Sequence, residues 1–204
     1  MNKEEKGISR ENLDKYMKII KANSKTLLQV INDLIDSSKI KSGAYKIKTD
    51  EFDIVGIVED TALSMKTYIE ESGLELIIDP DIEEKMIECD KVEIERCIIN
   101  LVSNAIKFNT EGGTIFVAVK DLDDSVEIIV KDSGIGISEE YQSIIFDRFT
   151  QIETGVSSKH FSSGIGLNLV KDLVELHNGT IRIVSKLGEG SEFIIKLPVK
   201  INFK

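Results

Sequence analysis

The run DKVEIERCIINLVSNAIKF, residues Asp90–Phe108, carries two patterns at once. Ile94, Cys97, Ile98, Leu101, Ala105 and Phe108 recur every three or four residues and predict one apolar helical face. Asn100, Asn104 and Lys107 follow the same spacing on a neighbouring face. Asn has middling helix propensity, and a buried carboxamide must find partners. A stripe of two carboxamides and a cation suits open water, or a bound anion with its metal ion. The helix alone leaves both readings open.

Working outward, 204 residues can hold one sizeable core, or one domain with a helical appendage. The 41% hydrophobic and 30% charged content is that of an ordinary soluble globular protein. With 26 basic and 36 acidic residues the formal net charge is -10, so the basic face of a duplex-binding protein is not expected and nucleic acid is not a partner. Cys89 and Cys97 are the only cysteines, and both lie in or beside apolar runs. They read as reduced core thiols, which fits a reducing cytosol. No apolar run approaches the ~18 residues of a membrane span, and the charged start is no signal peptide. A cytoplasmic segment without membrane contact is therefore expected.

Upstream, Ser9 to Lys41 predicts one long amphipathic helix. Leu13, Ile20, Leu27 and Leu34 are spaced by sevens, with Tyr16, Met17, Val30 and Ile31 in complementary positions. That repeat favours packing against another helix, over lying on its own domain. Ser42-Gly43 stops it, with Gly suited to the C-cap. From Tyr45 strands and helices alternate: YKIKTDEF as a strand, then IVGIVEDTALSMKTYIEES as a helix to Gly73, then LELIID and KMIECD as short strands around the Pro80 turn. Beyond the Asp90–Phe108 helix, GTIFVAVKD and SVEIIVKD predict an antiparallel pair across Leu122-Asp123-Asp124. Ser138 should cap a short helix, ISEEYQSIIFD. A polar stretch, about Arg148 to Ser163, precedes the helix GIGLNLVKDLVELHNG, and GTIRIVSK with SEFIIKLP closes the chain as a hairpin. The order predicts an α+β, two-layer α/β sandwich, preceded by one long amphipathic helix.

Two glycine loops carry further chemistry. Asp132-Ser133-Gly134-Ile135-Gly136-Ile137 follows a strand; its glycines allow close backbone approach, and its carboxylate can accept from an amine. Ser163-Gly164-Ile165-Gly166-Leu167 opens a helix, where free N–H groups and the dipole favour an anion. Each could equally be an ordinary turn. Arg148 and Lys159, in the polar stretch between them, could reach a terminal phosphate or simply face water. No Gly-Lys dipeptide occurs, so a Walker A loop is excluded, and the eukaryotic-type kinase catalytic loop is absent. No Cys/His set has zinc-site spacing.

N-x-x-x-N-A-x-K-F (Asn100 to Phe108), D-x-G-x-G-I (Asp132 to Ile137), F-D-R-F (Phe146 to Phe149) and G-x-G-L (Gly164 to Leu167) stand in one order. In that order they resemble the N, G1, F and G2 boxes of the catalytic and ATP-binding domain of sensor histidine kinases, a relative of the gyrase and heat-shock-chaperone ATPase (Bergerat-type) fold. The resemblance covers essentially the whole chain. Residues 1–43 look like the second helix of the dimerisation and phosphoacceptor domain, and 44–204 like the catalytic domain. It implies ATP and Mg²⁺ as cofactors. Asn104 would ligate Mg²⁺, a hard ion suited to an amide oxygen, with Asn100 beside it. Lys107 would meet phosphate and Phe108 the adenine and ribose. Asp132 would accept from the adenine amine, with Gly134, Gly136 and Ile137 admitting the ring. Gly164, Ile165, Gly166 and Leu167 would cradle phosphates, and Arg148 would approach the γ-phosphate.

Hydrolysing relatives carry Glu where Asn100 stands, and Asn cannot act as a general base, so transfer is favoured over hydrolysis. Two departures follow. Ser162 replaces the usual first Gly of the G2 box. The acceptor motif, His-Glu with Pro five residues after the His, is absent: the only prolines are Pro80 and Pro198, preceded at that distance by Glu75 and Phe193. His160 falls in the lid-like loop, and His177 reads as a helix C-cap favourable to the dipole. The resemblance therefore implies a histidine kinase whose acceptor histidine lies outside this chain, in a longer protein that meets a phosphoacceptor helix and a response regulator. That protein would be a homodimer, and this chain a weak dimer or monomer. An ATPase of the same superfamily, or a non-catalytic nucleotide-binding regulator docking on a partner helix, are the alternatives.

Overall fold

In the computed structural model, which describes residues 10–151 and 164–201, the chain begins with helix α1, Arg10–Lys41. Gly43 follows at φ 71, the left-handed turn that stops it. Leu13, Ile20, Leu27 and Leu34 remain exposed, at 51%, 58%, 61% and 42%. Near the C-terminal end the opposite edge turns inward: Asp33 and Ser37 are buried, and Ile40 packs on the core. The heptad face is thus not the face that meets the rest of the chain.

Strand β1 is Asp50–Asp53, shorter than the Tyr45 start expected; Tyr45 instead packs on the core and donates to Glu93 Oε1. The Asp53 carboxylate accepts from Val55 and Gly56 N–H and so caps α2 (Ile54–Ser64). The single helix expected here breaks at Met65, and α3 (Lys66–Glu71) continues to Gly73. Strands β2 (Glu75–Ile78) and β3 (Met86–Cys89) flank Pro80 without pairing with each other. β2 runs parallel to β4 (Thr114–Asp121), and Asp79 and Asp81 N–H continue along it to Val117 and Val119. The chain therefore does not fold back at Pro80, and β3 pairs with β1 in a small second sheet.

Helix α4 (Lys91–Lys107) is capped by the Asp90 side chain. β4 and β5 (Ser125–Asp132) form the expected hairpin. Helix α5, Glu139–Gln142, is one turn only, and Ser138 makes no side-chain cap. α6 is Gly166–Leu176, followed by β6 (Thr180–Lys186) and β7 (Gly190–Pro198). The main sheet has five strands in the order β2-β4-β5-β7-β6. Its inward residues, among them Val117, Ile128 and Ile195, meet Ile98 and Leu101 of α4 and Leu169 and Leu173 of α6 in one core. This is the two-layer α/β sandwich the order of elements predicts.

α4 holds the middle of the helical layer, packed between α2 and α6. Ile94, Ile98 and Leu101 are fully buried, each contributing roughly 1.5–3 kcal/mol. An interior Asn costs only about 0.5 kcal/mol of helix propensity, so the apolar face wins. Cys89 and Cys97 are free thiols buried in the core; burial pushes Cys89 up to about 12, and Cys97 is raised too.

His177 ends α6 at the C-cap, but as a buried group tying α6 to α4. Its Nε2 accepts from Asp90 N–H at 3.0 Å, and its Nδ1 lies 2.7 Å from Leu173 O. An Nε2 that accepts requires the neutral tautomer donating from Nδ1 to Leu173. Burial lowers its pKa, outweighing the Leu173 bond and the charges of Asp90 and Glu93. A favourable charge on the helix dipole is therefore not its role. Its unfolded counterpart, with a pKa of about 6.5, takes up a proton first as pH falls. Stability is full above that pH and declines below it. We expect melting temperature to fall between about pH 7 and 5, and His177→Gln to lose part of that slope; equal slopes in thermal melts would contradict the assignment.

Candidate functional site

Asn100, Asn104 and Lys107 lie partly exposed on one edge of α4, in the C-terminal half that the core leaves uncovered. Asn100 Nδ2 donates to Arg96 O at 2.9 Å. Its Oδ1 lies where a Cβ on Gly166 would approach to 2.9 Å, so the α6 N-terminus abuts this edge. Ile165, the buried N-cap of α6, supplies no side-chain cap, and Leu167 packs partly into the core. Lys107 Nζ stands 5.3 Å from the centroid of the Phe108 ring, and partial burial lowers its pKa.

Asp132 ends β5 with its carboxylate buried, and that burial raises its pKa despite the backbone bonds it accepts. Oδ1 takes N–H groups from Gly134 at 2.8 Å and Ser191 at 3.3 Å. No described residue donates to Oδ2. An acceptor kept in a low-dielectric place is strong when it meets a donor and costly when it does not.

The loop after Asp132 is clamped between two elements. Ile135 N–H donates to Phe108 O at 3.1 Å, Gly188 N–H to Ile135 O at 2.7 Å, and Ile137 N–H to Ser185 Oγ at 2.8 Å. A Cβ on Gly134 would sit 2.2 Å from Phe108 O, and one on Gly136 (φ 66) 2.0 Å from Lys186 O. The space these glycines leave is filled by the protein's own backbone. These close approaches let the loop press onto α4 and β6. Gly164, at φ 67, accepts from Phe149 N–H at 2.9 Å and so meets the F-D-R-F segment across the polar stretch.

The structure therefore brings the α4 stripe, the Asp132 loop and the α6 N-terminus to one place. Arg148 is engaged on α1 and α6 in this structure. Its Nε donates to Asn168 Oδ1 at 3.1 Å, and its Nη2 donates to Ser37 O at 2.7 Å and to Ser37 Oγ. In this arrangement it holds α1, because a buried hydroxyl and carbonyl there satisfy it. Lys159, His160 and Ser162 lie outside the described residues. Arg96 was not singled out by sequence. It bonds Asp33 at 2.6 Å, Asp36 at 2.9 Å and Glu93 at 3.5 Å. Burial opposes its charge, but the bonds to Asp33 and Asp36 prevail and raise its pKa. The readable signal was the polar spacing Asp33, Asp36, Ser37 opposite the heptad face.

Among the described residues no group of three His, Cys, Asp or Glu could hold a metal. Mg²⁺ is commonly held by one or two protein oxygens plus substrate phosphates and water. A lone Asn104 amide fits a metal that arrives with a phosphorylated ligand. For the loop, Gly136→Ala should destabilise the fold by roughly 2 kcal/mol or more, combining a left-handed φ with a backbone collision. Urea unfolding with a loss below about 0.5 kcal/mol, the range of neutral surface changes, would contradict this.

The family model described as histidine kinase-, DNA gyrase B- and HSP90-like ATPase matches residues 89–201. The circadian input-output histidine kinase CikA of Synechococcus elongatus is 33% identical over 185 residues, covering 90% of this chain and 24% of that protein. Among solved structures, full-length ShkA in complex with AMPPNP aligns with a TM-score of 0.81 at 23% identity, covering 98% of this chain and 42% of that one. The histidine kinase ThkA, in complex with the response regulator TrrA, aligns with a TM-score of 0.75 at 23% identity, over 96% of this chain and 54% of that one. This chain spans about a quarter of CikA. It belongs to the histidine kinase-, DNA gyrase B- and HSP90-like ATPase family.

Proposed function

We propose that this chain is the ATP-binding catalytic portion of a two-component sensor histidine kinase, passing the γ-phosphate of Mg·ATP to a histidine outside it. The observation that carries this is Asp132: a buried carboxylate with one oxygen committed to loop amides, beside the Asn/Lys edge of α4. The adenine amine is the donor that Oδ2 would meet. Lys107 and the first amides of α6 then face phosphates, and Asn104 offers its amide oxygen to Mg²⁺. Bound Mg²⁺ supplies charge neutralisation on the phosphates. The chain's own residues orient the nucleotide and exclude alternative poses; nothing here need act covalently.

Asn100 favours transfer over hydrolysis, since a carboxamide cannot take a proton from water. The exposed heptad face of α1 supports pairing with a second helix, as in a dimerisation domain spanning residues 1–43, with the catalytic domain at 44–204. The ThkA–TrrA complex supports a response regulator as the downstream partner, and the AMPPNP held by ShkA supports ATP as the ligand. No helix among the described residues is long and apolar enough to cross a membrane; we place the segment in the cytoplasm, where ATP is available.

Calorimetry with Mg·AMPPNP tests the site. Asp132→Ala should weaken binding at least about tenfold, a charged hydrogen bond being worth 1.5–3 kcal/mol. Asn104→Ala should remove the gain that Mg²⁺ gives over metal-free nucleotide. Unchanged affinity in both variants would overturn the reading. Incubated alone with labelled ATP, this chain should form no stable phosphohistidine; acid-labile label retained on it would refute an acceptor placed elsewhere.

A further inference from the structure

Ser37 is a junction. It lies on the inward edge of α1, and its hydroxyl is 2.8 Å from Asp172 Oδ2 and 3.1 Å from Asn168 Oδ1, both on α6. One hydroxyl has one proton, and the carboxylate is the stronger acceptor. The oxygen then receives Arg148 Nη2, while the Ser37 carbonyl receives the same nitrogen. Asn168 completes the set by accepting Arg148 Nε and donating to Phe146 O at 3.0 Å. A second polar tie, Arg96 with Asp33 and Asp36, lies on the same edge of α1. Apart from Ile40, which packs on the core, these ties of α1 are polar, as transient inter-domain contacts are.

Arg148 sits next to Phe149, whose N–H closes on Gly164, and it bonds Asn168 in the first turn of α6. It is thus close to the α6 N-terminus yet committed to α1. A guanidinium grips phosphate best through two N–H groups on one edge. Both usable edges include Nη2, and Nη2 donates to both the carbonyl and the hydroxyl oxygen of Ser37. A two-pronged grip on phosphate therefore requires Arg148 to leave Ser37.

We propose that Arg148 serves two partners in turn, Ser37 of α1 and the terminal phosphate of a bound nucleoside triphosphate, so that triphosphate binding and α1 docking oppose each other. This rests on the ATP-site reading above. Linkage makes the opposition reciprocal: whatever loosens α1 tightens the triphosphate, by the same factor.

Calorimetry on the whole chain tests it, with Mg·AMPPNP and Mg·ADP as probes. Ser37→Ala should bind Mg·AMPPNP about fivefold tighter, the lower end of ordinary coupling between sites. It should bind Mg·ADP no differently, and the gain should vanish in an Arg148→Ala background. Hydrogen exchange should quicken at residues 33–41 of the unaltered chain when Mg·AMPPNP is added. Should Ser37→Ala fail to fold by circular dichroism, Asp172→Ala carries the same expectation. Equal Mg·AMPPNP affinities in chain and variant, or a gain that survives Arg148→Ala, would overturn the opposition and leave the ATP site standing. No nucleotide binding by either would overturn the ATP-site reading and the opposition together.

Discussion

The hydrogen bond from Ile135 N–H to the Phe108 carbonyl fastens the loop after β5 to the end of α4, and much of the molecule follows from it. To reach that carbonyl the loop must pass so close that Gly134 has no room for a Cβ. The same approach sets the buried Asp132 carboxylate beside the edge of α4 that carries Asn100, Asn104 and Lys107. Tight on one side, that edge is open on the other, because the apolar positions of α4 are spent on the sheet, α2 and α6. A helix in the middle of a layer can thus be well buried and still present a polar edge to a ligand.

His177 steadies the arrangement from the far end. It ties the last turn of α6 to the Asp90 N–H, and the Asp90 carboxylate caps α4. The two helices that border the site are therefore linked at their remote ends by a neutral ring. At the near ends they meet through Asn100 and Gly166. The spacing of the two helices thus rests on one contact remote from the site and one within it.

Much of this was legible in sequence, because it is local. The two faces of α4, the β4–β5 and β6–β7 hairpins and the stop at Gly43 all rest on residues a few positions apart. What was not legible is non-local. Pairing of β2 with β4, not with its neighbour β3, depends on a parallel partner beyond α4. Arg148 lies 111 positions from the Ser37 it holds, and Arg96 lies 63 from Asp33. No spacing rule reaches so far, so the hold of these arginines on α1 is not legible from the residues around them. The C-terminal histidine was read through the helix dipole alone, since nothing near it in sequence announces its burial or its bond to Asp90. The α1 heptads, in contrast, were legible as an apolar face, and the structure leaves that face uncovered by the described residues of its own chain.

The central claim is that one ligand, ATP, spans the α4 edge, the Asp132 loop and the α6 N-terminus. Backbone amide NMR during titration with Mg·ATP addresses it most directly. The account predicts shifts concentrated at residues 100–108, 132–137 and 164–168, saturating together with one affinity. Shifts confined to another surface, such as the acidic depression around Glu59, Asp81 and Glu83, or segments that titrate independently, would contradict it.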